Sequence, residues 1–530
     1  MSAATSIAVS RAAEKPKANP WIIGVVVSMA AFMEVLDTSI ANVALPHIAG
    51  GLGASNDEST WVLTSYLVAN AIVLPISGFL VGWLGRKRFF LACILLFTAS
   101  SFLCGVAPSL GMLLLFRVMQ GAFGGGLQPM AQAILADTFP PEKRGLAFAM
   151  YGITAVCAPA IGPTLGGWIT DNYSWRWIFY INVPVGILAI LLVQQLVQDP
   201  PYLARTKKGV GRFDYMGFAL LAIGVGALQV ALDKGQEDDW FGSRFITMLV
   251  VAAAVGLVSL VVWEWFHNEP IVDVRLFKHF NFASTSLMFF VVGIVLFSST
   301  VLLPQFLQTL MGYTAQAAGM VLSAAAFILL FLLPVVGWLL TRYQARYLLA
   351  FGWITLALGM YVSAKSLEVF ISFPAATWIR ILQYLPLGFL FVPLTTAGYI
   401  GLPKEKNNAA AGMMNFMRNM GQSVGTSAMT TLIARRSQYH QSVLAEYTRS
   451  TRFHLATAAV ANRLMHAGLS LHSAQQQAVS RIYGMLLTQA QAISYVDAYA
   501  LLAAISVLMF FLSFLLARNK PGAGGEAPIH

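Results

Sequence analysis

Long apolar runs separated by short polar stretches fill the chain from residue 21 to residue 517. A helix that crosses a bilayer needs about 20 predominantly apolar residues. The runs of that length cover residues 21–44, 58–82, 89–107, 110–137, 145–169, 177–197, 214–233, 245–267, 283–308, 315–341, 347–364, 375–400, 407–433 and 494–517. The pattern therefore predicts an all-α integral membrane protein with fourteen transmembrane helices.

Composition supports this class. Hydrophobic residues make up 58% of the chain and charged residues only 10%, with a mean hydropathy of +0.70. So little polar surface could not cover a soluble globule of 530 residues. The net charge of +11 comes from short basic clusters between apolar runs, which is typical of membrane orientation, so we expect no nucleic-acid partner.

The basic residues also predict the orientation. If the N-terminus is cytoplasmic, most Lys and Arg residues fall on the inner side, as the positive-inside rule requires. They are Arg11, Lys15, Lys17, Arg86, Lys87, Arg88, Lys143, Arg144, Arg205, Lys207, Lys208, Arg212, Arg275, Lys278, Arg342, Arg346, Lys404, Lys406, Arg518 and Lys520. The short outer loops keep only Arg176, Lys234, Arg244 and Lys365. We therefore expect a bacterial inner-membrane protein with cytoplasmic tails at 1–20 and 518–530.

Several chemistries find no support in the sequence. Cys93, Cys104 and Cys157 lie in apolar runs without C-x-x-C spacing, which predicts neither disulfides nor a metal site. No phosphate-binding G-x-x-x-x-G-K-[ST] motif occurs, and no nucleophile, base and metal set shares one surface. We expect no cofactor and no enzyme activity.

One outer segment, residues 434–493, is long and polar. It lacks Pro and carries apolar residues at helical spacing, so it predicts amphipathic helices at the outer surface. Its histidines, His440, His454, His466 and His472, are either a metal or pH sensor or simply exposed side chains.

The two ends of the helical region resemble each other. "LPISG" at 74–78 matches "LPVVG" at 333–337, and "GPTLG" at 162–166 matches "GQSVG" at 421–425, both 259 residues apart. "RVMQ" at 117–120 matches "RILQ" at 380–383. This predicts two six-helix bundles, residues 21–197 and 283–517, joined by a linker with two extra helices at 198–282; the alternative is fourteen helices without symmetry.

Two acids stand inside the first apolar run. Glu34 and Asp37 are three residues apart, so on a helix they project from nearly the same face. A charge in the bilayer is costly and marks a functional candidate with a partner. Burial and mutual repulsion would make the pair titrate together, as a proton carrier requires.

Buried arginines supply the candidate partners. Arg117, within the fourth run, is the expected counter-charge, because a guanidinium stays charged and needs pairing when buried. The alternative is a static ion pair that holds two helices together. Arg418 lies near Asn415, Asn419 and Gln422, either facing a cavity or in an interhelical network. Arg380, the repeat mate of Arg117, either shares its role or snorkels outward.

Six motifs in this order resemble one known family. They are "LDTSIANVALP" (36–46), "GFLVGWLGRKR" (78–88), "RVMQGAFGGGLQP" (117–129), "APAIGPTLGGWIT" (158–170), "SWRWIFYINVPVG" (174–186) and "LDKGQEDDWFGS" (232–243). Together they resemble the fourteen-helix drug/proton antiporter branch of the major facilitator superfamily, the EmrB/QacA type. The resemblance implies the major facilitator fold and proton coupling at Arg117 and Asp37, with Glu34 less regular in that family.

The resemblance assigns further residues. The antiporter motif, taken to seal the cavity against leak, falls on Pro159, Gly162, Pro163, Gly166 and Gly167. The gating loop falls on Gly78, Gly85, Arg86 and Lys87, but Gly82 stands where the family usually has Asp, so an acid-dependent gate is in doubt. We expect the substrate cavity at Glu34, Asp37, Asn42, Gln120, Asn415, Arg418 and Gln422.

These features predict a proton-coupled multidrug exporter of hydrophobic or cationic compounds that works by alternating access. A proton symporter or facilitator for a nutrient on the same fold is the alternative, and uptake under an inward proton gradient separates the two. Relatives in Gram-negative bacteria work with a periplasmic adaptor and an outer-membrane channel, and residues 434–493 are where such an adaptor could dock.

Overall fold

The computed structural model describes residues 19–199, 213–446 and 451–518. Most of the two predicted tails lie outside these ranges, and so do some of the basic residues used for orientation. They are Arg11, Lys15, Lys17, Arg205, Lys207, Lys208, Arg212 and Lys520.

All regular secondary structure in the described ranges is helical. The first helices are α1 (Pro20–Leu52), α2 (Asn56–Leu84), α3 (Arg86–Val106), α4 (Leu110–Gly124), α5 (Leu127–Thr138), α6 (Arg144–Asn172), α7 (Trp177–Tyr180) and α8 (Asn182–Leu196). They are followed by α9 (Tyr215–Lys234), α10 (Arg244–Phe266), α11 (Phe280–Thr309), α12 (Ala315–Leu339), α13 (Ala345–Ser366), α14 (Phe373–Tyr384), α15 (Pro386–Gly398), α16 (Asn407–Glu446), α17 (Thr451–His466) and α18 (Leu471–Ser513).

Within the described residues, twelve helices are long and apolar enough to span a membrane, or thirteen if the two parts of α6, bent by 41°, count as one span. The predicted span 407–433 lies in α16, where polar residues such as Asn415 and Arg418 lower the hydropathy. The all-α membrane architecture is confirmed, and the number fourteen stays a prediction.

Local sequence explains where several helices begin and break. Asn19 caps α1 by accepting a hydrogen bond from the Trp21 amide at 3.0 Å, and Ser55 forms a capping box with Glu58 at the start of α2. The fourth apolar run is broken between α4 and α5 by two consecutive glycines, which are poor helix formers. Such a break leaves backbone N–H and C=O groups without helical partners at membrane depth. It is tolerated only where it is buried within the protein.

Helix contacts group the chain into two bundles. In the first bundle, α1 to α8, helix α1 packs against α6, α5, α8 and α2. In the second bundle, α11 to α16 with α18, the closest packing joins α11 to α16 and α13 to α18. Beyond the bundles, the C-terminal part of α16, α17 and the N-terminal part of α18 form a helical hairpin with its own small apolar core.

Helices α9 and α10 pack together beside the seam between the bundles. Gly224 and Gly256 allow this pair to approach closely, since a Cβ on Gly256 would lie 2.8 Å from the Gly224 Cα. On its other side α9 contacts both bundles, because Gln229 accepts a hydrogen bond from Ser423 of α16 at 2.9 Å and Gly226 faces Val68 of α2. Only 22% of the most apolar 18-residue stretch of α10 is buried, so most of this helix faces lipid.

The bundles meet at the end of the molecule that carries Arg86, Arg144 and Lys406, which we call the basic end. A Cβ on Gly78 of α2 would lie 2.6 Å from the Cα of Ala409 in α16, and one on Gly145 would lie 3.0 Å from the Gly337 carbonyl oxygen in α12. Backbones can come this close only where both bundles are packed tightly. The basic end is therefore closed.

The opposite end, which we call the hairpin end because the α16 to α18 hairpin protrudes there, is more open. Along α1, Val35 is half-buried whereas Asn42 and Pro46 are exposed. Along α11, Phe297 is half-buried whereas Gln305 is exposed. On this face of each helix exposure rises toward the hairpin end, which indicates a gap between α1 and α11 there, while α6 and α12 stay in contact, since a Cβ on Gly319 would lie 3.4 Å from Thr164 Oγ1.

Gly78→Val should force the basic end open, since the added side chain meets backbone that cannot rotate away. Gly82→Val, one turn along the same helix, is the matched control, because nothing lies within 4 Å of its Cβ position. We expect alkylation of a cysteine at the buried Asn408 position, in a background without native cysteines, to accelerate about tenfold or more in Gly78→Val only. Equal rates in both variants would contradict the close packing of α2 on α16.

Candidate functional site

Asp37 of α1 and Arg117 of α4 form an ion pair in the interior of the first bundle. Arg117 Nη1 lies 2.6 Å from Asp37 Oδ2, and the two side chains are 0% and 1% exposed. At this depth water does not screen the interaction, so each charge depends on the other. The structure thus brings together the two residues that the sequence pairs.

Neutral donors complete the surroundings of the Asp37 carboxylate. Gln120 Nε2 donates to Asp37 Oδ1 at 2.9 Å, and Asn182 Nδ2 donates to the same oxygen at 2.7 Å. Gln120 stands three residues after Arg117 and so shares its helix face, where its Oε1 also accepts from Arg117 Nη1 at 2.7 Å. Asn182 is the first residue of α8. All these partners belong to the first bundle.

The Arg117 guanidinium has further contacts on α2. Its Nε donates to the Val62 carbonyl oxygen at 3.0 Å, and its Cζ lies 4.3 Å from the centre of the Tyr66 ring. The Tyr66 face stabilises the cation through its quadrupole. The ion pair therefore joins α1, α2, α4 and α8 in one network.

Glu34 lies one turn before Asp37 but has different hydrogen-bond partners, and Tyr66 touches both sets of contacts. Its Oε1 accepts from the Tyr66 hydroxyl at 3.2 Å and from Asn70 Nδ2 at 3.0 Å, and its Oε2 accepts from Gln128 Nε2 at 2.5 Å. The side chain is 3% exposed, and Glu34 takes part in none of the ion pairs of the described residues. Three neutral donors hold a carboxylate that has no cation in direct contact.

Besides the contact through Tyr66 to Arg117, Glu34 has a link to a cation that crosses to the second bundle. Gln128 Oε1 accepts from Arg418 Nη2 of α16 at 2.6 Å and from the Tyr151 hydroxyl at 3.0 Å. Arg418 is buried and lies 5.8 Å from the centre of the Phe391 ring. Gln128 is thus a bridge, with its amide nitrogen on the acid of one bundle and its amide oxygen on the arginine of the other.

Two more polar contacts cross the seam nearby. Asn415 Nδ2 of α16 donates to Gln132 Oε1 of α5 at 2.9 Å, and Asn419 Nδ2 donates to Asn70 Oδ1 at 3.4 Å. The predicted α16 cluster therefore faces the first bundle. Buried amides at a sliding interface can exchange partners without leaving a charge unpaired.

Other residues predicted to line the cavity lie apart from these networks. Asn42 is exposed on α1, two turns from Glu34 toward the hairpin end, and Gln422 is half-buried on α16. They lie on the part of the seam that opens toward the hairpin end.

The glycine and proline motif of α6 packs directly on α1. A Cβ on Gly162 would lie 2.3 Å from Ser39 Oγ, and one on Gly166 would lie 3.1 Å from the Ile40 carbonyl oxygen. Ser39 Oγ donates to the Pro159 carbonyl oxygen at 3.1 Å, where a proline in the following turn leaves a carbonyl without its helical donor. Gly167 has looser contacts and Pro163 lies inside the same helix.

The loop after α2 has an acid partner that the sequence reading missed. Gly85 ends α2 with a φ of 84°, a conformation that favours glycine. It places Arg86, 2% exposed, with Nη1 2.6 Å from Asp137 Oδ2 of α5. Asn407 of the second bundle donates to Asp137 Oδ1 at 3.0 Å. Asp137 therefore supplies a carboxylate at this loop although position 82 is Gly.

The other basic residue of this loop holds a chain segment rather than the seam. The Lys87 amide donates to Asp199 Oδ1 at 2.7 Å, and Lys87 Nζ donates to the Gln194 carbonyl oxygen. The contact fixes the end of α8 to the start of α3.

Metal binding finds no support in the described part of the chain, which contains no group of three or more His, Cys, Asp or Glu suited to a metal ion. His440 Nε2 lies 2.7 Å from Asp497 Oδ2, and Arg436 Nε lies 2.6 Å from the same oxygen. This contact joins α16 to α18 at the base of the hairpin.

Sequence reasoning missed Tyr66, Asn70, Gln128, Asn182 and Asp137. Gln128 and Asn182 stand inside the quoted motifs "RVMQGAFGGGLQP" and "SWRWIFYINVPVG", so an unexplained amide in an apolar run was the available signal. Tyr66 and Asn70 lie one turn apart on α2, a spacing that gave no separate signal.

The site holds two carboxylates whose contacts depend differently on how the two bundles are arranged. The contacts of Asp37 come from one bundle, so they persist if the bundles move as rigid bodies. The contacts of Glu34 extend through Gln128 to Arg418 of the other bundle, so a change in the seam alters what it costs to keep Glu34 ionised. An arrangement of this kind can couple protonation to movement.

Comparisons with known proteins agree with this architecture. Residues 27–426 match the Major Facilitator Superfamily. The multidrug export protein EmrB of Escherichia coli K12 is 39% identical over 504 residues, which cover 95% of this chain and 96% of that protein. The multidrug export protein EmrB of Haemophilus influenzae is 41% identical over 427 residues, which cover 80% and 83% of the two chains.

A solved structure shows the same fold at low identity. The proton:xylose symporter XylE, bound to 6-bromo-6-deoxy-D-glucose, aligns with a TM-score of 0.59 and 13% identity over 95% of this chain and 97% of that one. At this identity the likeness concerns the fold alone.

Asp37→Asn should destabilise the protein more than Glu34→Gln. The first change leaves Arg117 buried without a carboxylate, which costs about 3–5 kcal/mol, whereas the second keeps an acceptor for neutral donors. We expect thermal unfolding in detergent to show a clearly lower midpoint for Asp37→Asn. Adding Arg117→Gln to Asp37→Asn should recover part of the loss, because it removes the unpaired cation. Equal midpoints for the two single variants would contradict the assignment of Arg117 to Asp37.

Proposed function

The chain belongs to the Major Facilitator Superfamily as a multidrug efflux transporter of the EmrB type, and on that premise we propose that inward proton flow drives its export of drugs. It is a multi-pass protein of the bacterial inner membrane. Its substrates are small molecules, and the proposal concerns hydrophobic and cationic ones. Energy would come from proton exchange at the α1 carboxylates during alternating access.

The network around Glu34 is the observation that carries this proposal. Glu34 has three neutral donors, and two of them, Gln128 and Asn70, connect it to Arg418 of the second bundle, Asn70 through Asn419. When the seam opens at the basic end and closes at the hairpin end, Arg418 must change its position relative to Glu34. The proton affinity of Glu34 would then differ between the two states, which is the requirement for coupling.

Asp37 and Arg117 would have the complementary role. Their ion pair, together with Gln120 and Asn182, holds the α1 acids in place within the first bundle. A cationic drug that enters from the cytoplasm would be attracted to an ionised α1 carboxylate, and a proton that enters from outside would compete with it. Competition for the same carboxylate gives antiport.

The α6 motif would keep the path from leaking. Gly162 and Gly166 let α6 lie against α1 without a gap at the level of Ser39 and Ile40. A seal on one side of the α1 acids is needed because an open proton path would dissipate the gradient. Arg86, Asp137 and Asn407 would form the closing contact at the basic end.

We propose that the basic end faces the cytoplasm and that both termini lie there. The basic residues of the described loops support this orientation under the positive-inside rule. The start of α1 and the end of the described chain lie at that end, because Trp21 packs against Phe139 at 4.9 Å and the Ala517 amide donates to Asn281 Oδ1 at 3.1 Å.

The hairpin would then protrude on the outer side and dock a periplasmic adaptor that leads to an outer-membrane channel. The 40 residues of α16 extend about 60 Å at about 1.5 Å per residue, well beyond the bilayer. Apolar side chains such as Leu455, Val479 and Met485 are exposed on it. An adaptor that still co-purifies with the protein after the hairpin is shortened would contradict this docking site.

Transport in proteoliposomes tests proton coupling. With ethidium outside and an acidic lumen, vesicles with wild-type protein should accumulate the dye as protons leave. Glu34→Gln and Asp37→Asn should retain no more than about a tenth of the wild-type rate, since each removes a group required for exchange. Asp239→Asn is the matched control, because it neutralises an exposed acid at a positive φ that Asn tolerates.

Two results would contradict the proposal. Gradient-driven accumulation that is unchanged in both α1 variants would remove the assignment to these acids. Accumulation that needs no gradient would favour a facilitator, and accumulation that requires the reversed gradient, with the outside acidic, would favour a symporter.

A further inference from the structure

The second bundle repeats the buried arginine of the first. Arg117 and Gln120 of α4 correspond to Arg380 and Gln383 of α14, and all four side chains are at most 1% exposed. Arg380 Nη1 donates to Gln383 Oε1 at 3.1 Å, as Arg117 does to Gln120. Arg380 Cζ lies 3.9 Å from the centre of the Tyr384 ring, a counterpart of the Tyr66 contact. The outward-snorkelling alternative for Arg380 is therefore wrong.

The two arginines differ in what balances their charge. Where Arg117 has the Asp37 carboxylate, Arg380 has only neutral acceptors: besides Gln383, Nη2 donates to Thr300 Oγ1 at 2.8 Å and Nη1 faces Ser299 Oγ at 3.4 Å. No ion pair of the described residues includes Arg380, and its buried Nε has no hydrogen-bond partner there. A guanidinium stays charged at this depth, so the site lacks one negative charge.

The free groups of Arg380 suit one kind of ligand. Nε and Nη2 form one edge of the planar guanidinium, and that edge binds the two oxygens of a carboxylate side by side. Nε has no partner and Nη2 is held only by the Thr300 hydroxyl. A bound carboxylate would replace the Thr300 hydroxyl as the acceptor at Nη2 and would give Nε an acceptor.

Thr300, unlike Arg380, is partly exposed. It is half-buried on α11, next to Val301, which is 39% exposed. Both lie on the part of α11 that becomes exposed toward the hairpin end. Arg380 is itself fully buried, but its Nη2 is in direct contact with this partly exposed side chain.

We propose that Arg380 binds the carboxylate or a similar oxyanion of an apolar transported compound, so that the second bundle holds an anion subsite. The inference rests on the proposed export function and extends its substrates to amphiphilic anions. A cation would use the α1 acids of the first bundle, and an anion would use Arg380. A compound that carries both charges would contact both bundles.

Equilibrium binding to the purified full-length protein in detergent tests the subsite. The probes are 1-naphthoate and its neutral isostere 1-naphthamide. We expect wild-type protein to bind 1-naphthoate about tenfold or more tightly than the amide, since a hydrogen bond to a charged group contributes that much. Thr300→Asp supplies the missing carboxylate from within the chain and should abolish the preference. Arg380→Gln should also abolish it.

Thr309→Asp is the matched control, since it adds the same charge to an exposed position farther along α11. It should keep the preference for 1-naphthoate. Thr300→Asp should also raise the thermal unfolding midpoint, because it neutralises a buried cation. This second readout shows that the variant is folded when the preference is lost.

Equal binding of the two probes by wild-type protein would overturn the proposal. A preference that persists in Thr300→Asp or in Arg380→Gln would overturn it as well. Ethidium export by wild-type vesicles keeps the two proposals apart: a protein that exports ethidium without preferring 1-naphthoate loses only the anion subsite. A protein that prefers 1-naphthoate but moves ethidium without a gradient loses only the coupling mechanism.

Discussion

The buried ion pair between Asp37 and Arg117 is the constraint on which the rest of the structure depends. Separating this pair would leave two buried charges at high cost, so α1 and α4 are held in one register, and Gln120 and Asn182 fix the carboxylate between α4 and α8. Because all these groups belong to the first bundle, that bundle can move as a unit. Glu34, one turn away on the same helix, is thereby placed at the seam.

The seam between the two bundles is the part of the structure whose contacts can rearrange. Amide side chains rather than ion pairs connect the bundles around Glu34, and Gln128 relays the charge of Arg418 without direct contact. Such contacts can be broken and remade at modest cost, whereas a direct ion pair would resist separation. The basic end closes through glycine contacts and through Asn407 with Asp137, which Arg86 pairs within the first bundle, so this end differs chemically from the seam around Glu34. The second bundle lacks the acid that the first one has, and its buried Arg380 has only neutral hydroxyl and amide acceptors.

Sequence reasoning predicted the fold and the family, and the matches to the superfamily and to EmrB confirm both. It also identified Glu34, Asp37 and Arg117, because a charge in an apolar run is visible without a structure. It could not assign different hydrogen-bond partners to Glu34 and Asp37, since spacing on one helix says nothing about partners on others. Asp137 was missed because a charge at the end of a run looks like a loop residue. It left open whether Arg380 is buried or points outward, because burial depends on packing that only the structure shows.

The most direct test of the central claim is the number of protons that the purified protein releases for each ethidium bound. Detergent-solubilised protein in weak buffer at neutral pH, followed with an indicator dye, gives this number without transport. If cargo and proton compete for the α1 carboxylates, wild-type protein should release a measurable fraction of a proton up to about one, and Glu34→Gln should release almost none. Ethidium binding without proton release, or equal release by Glu34→Gln, would contradict the account.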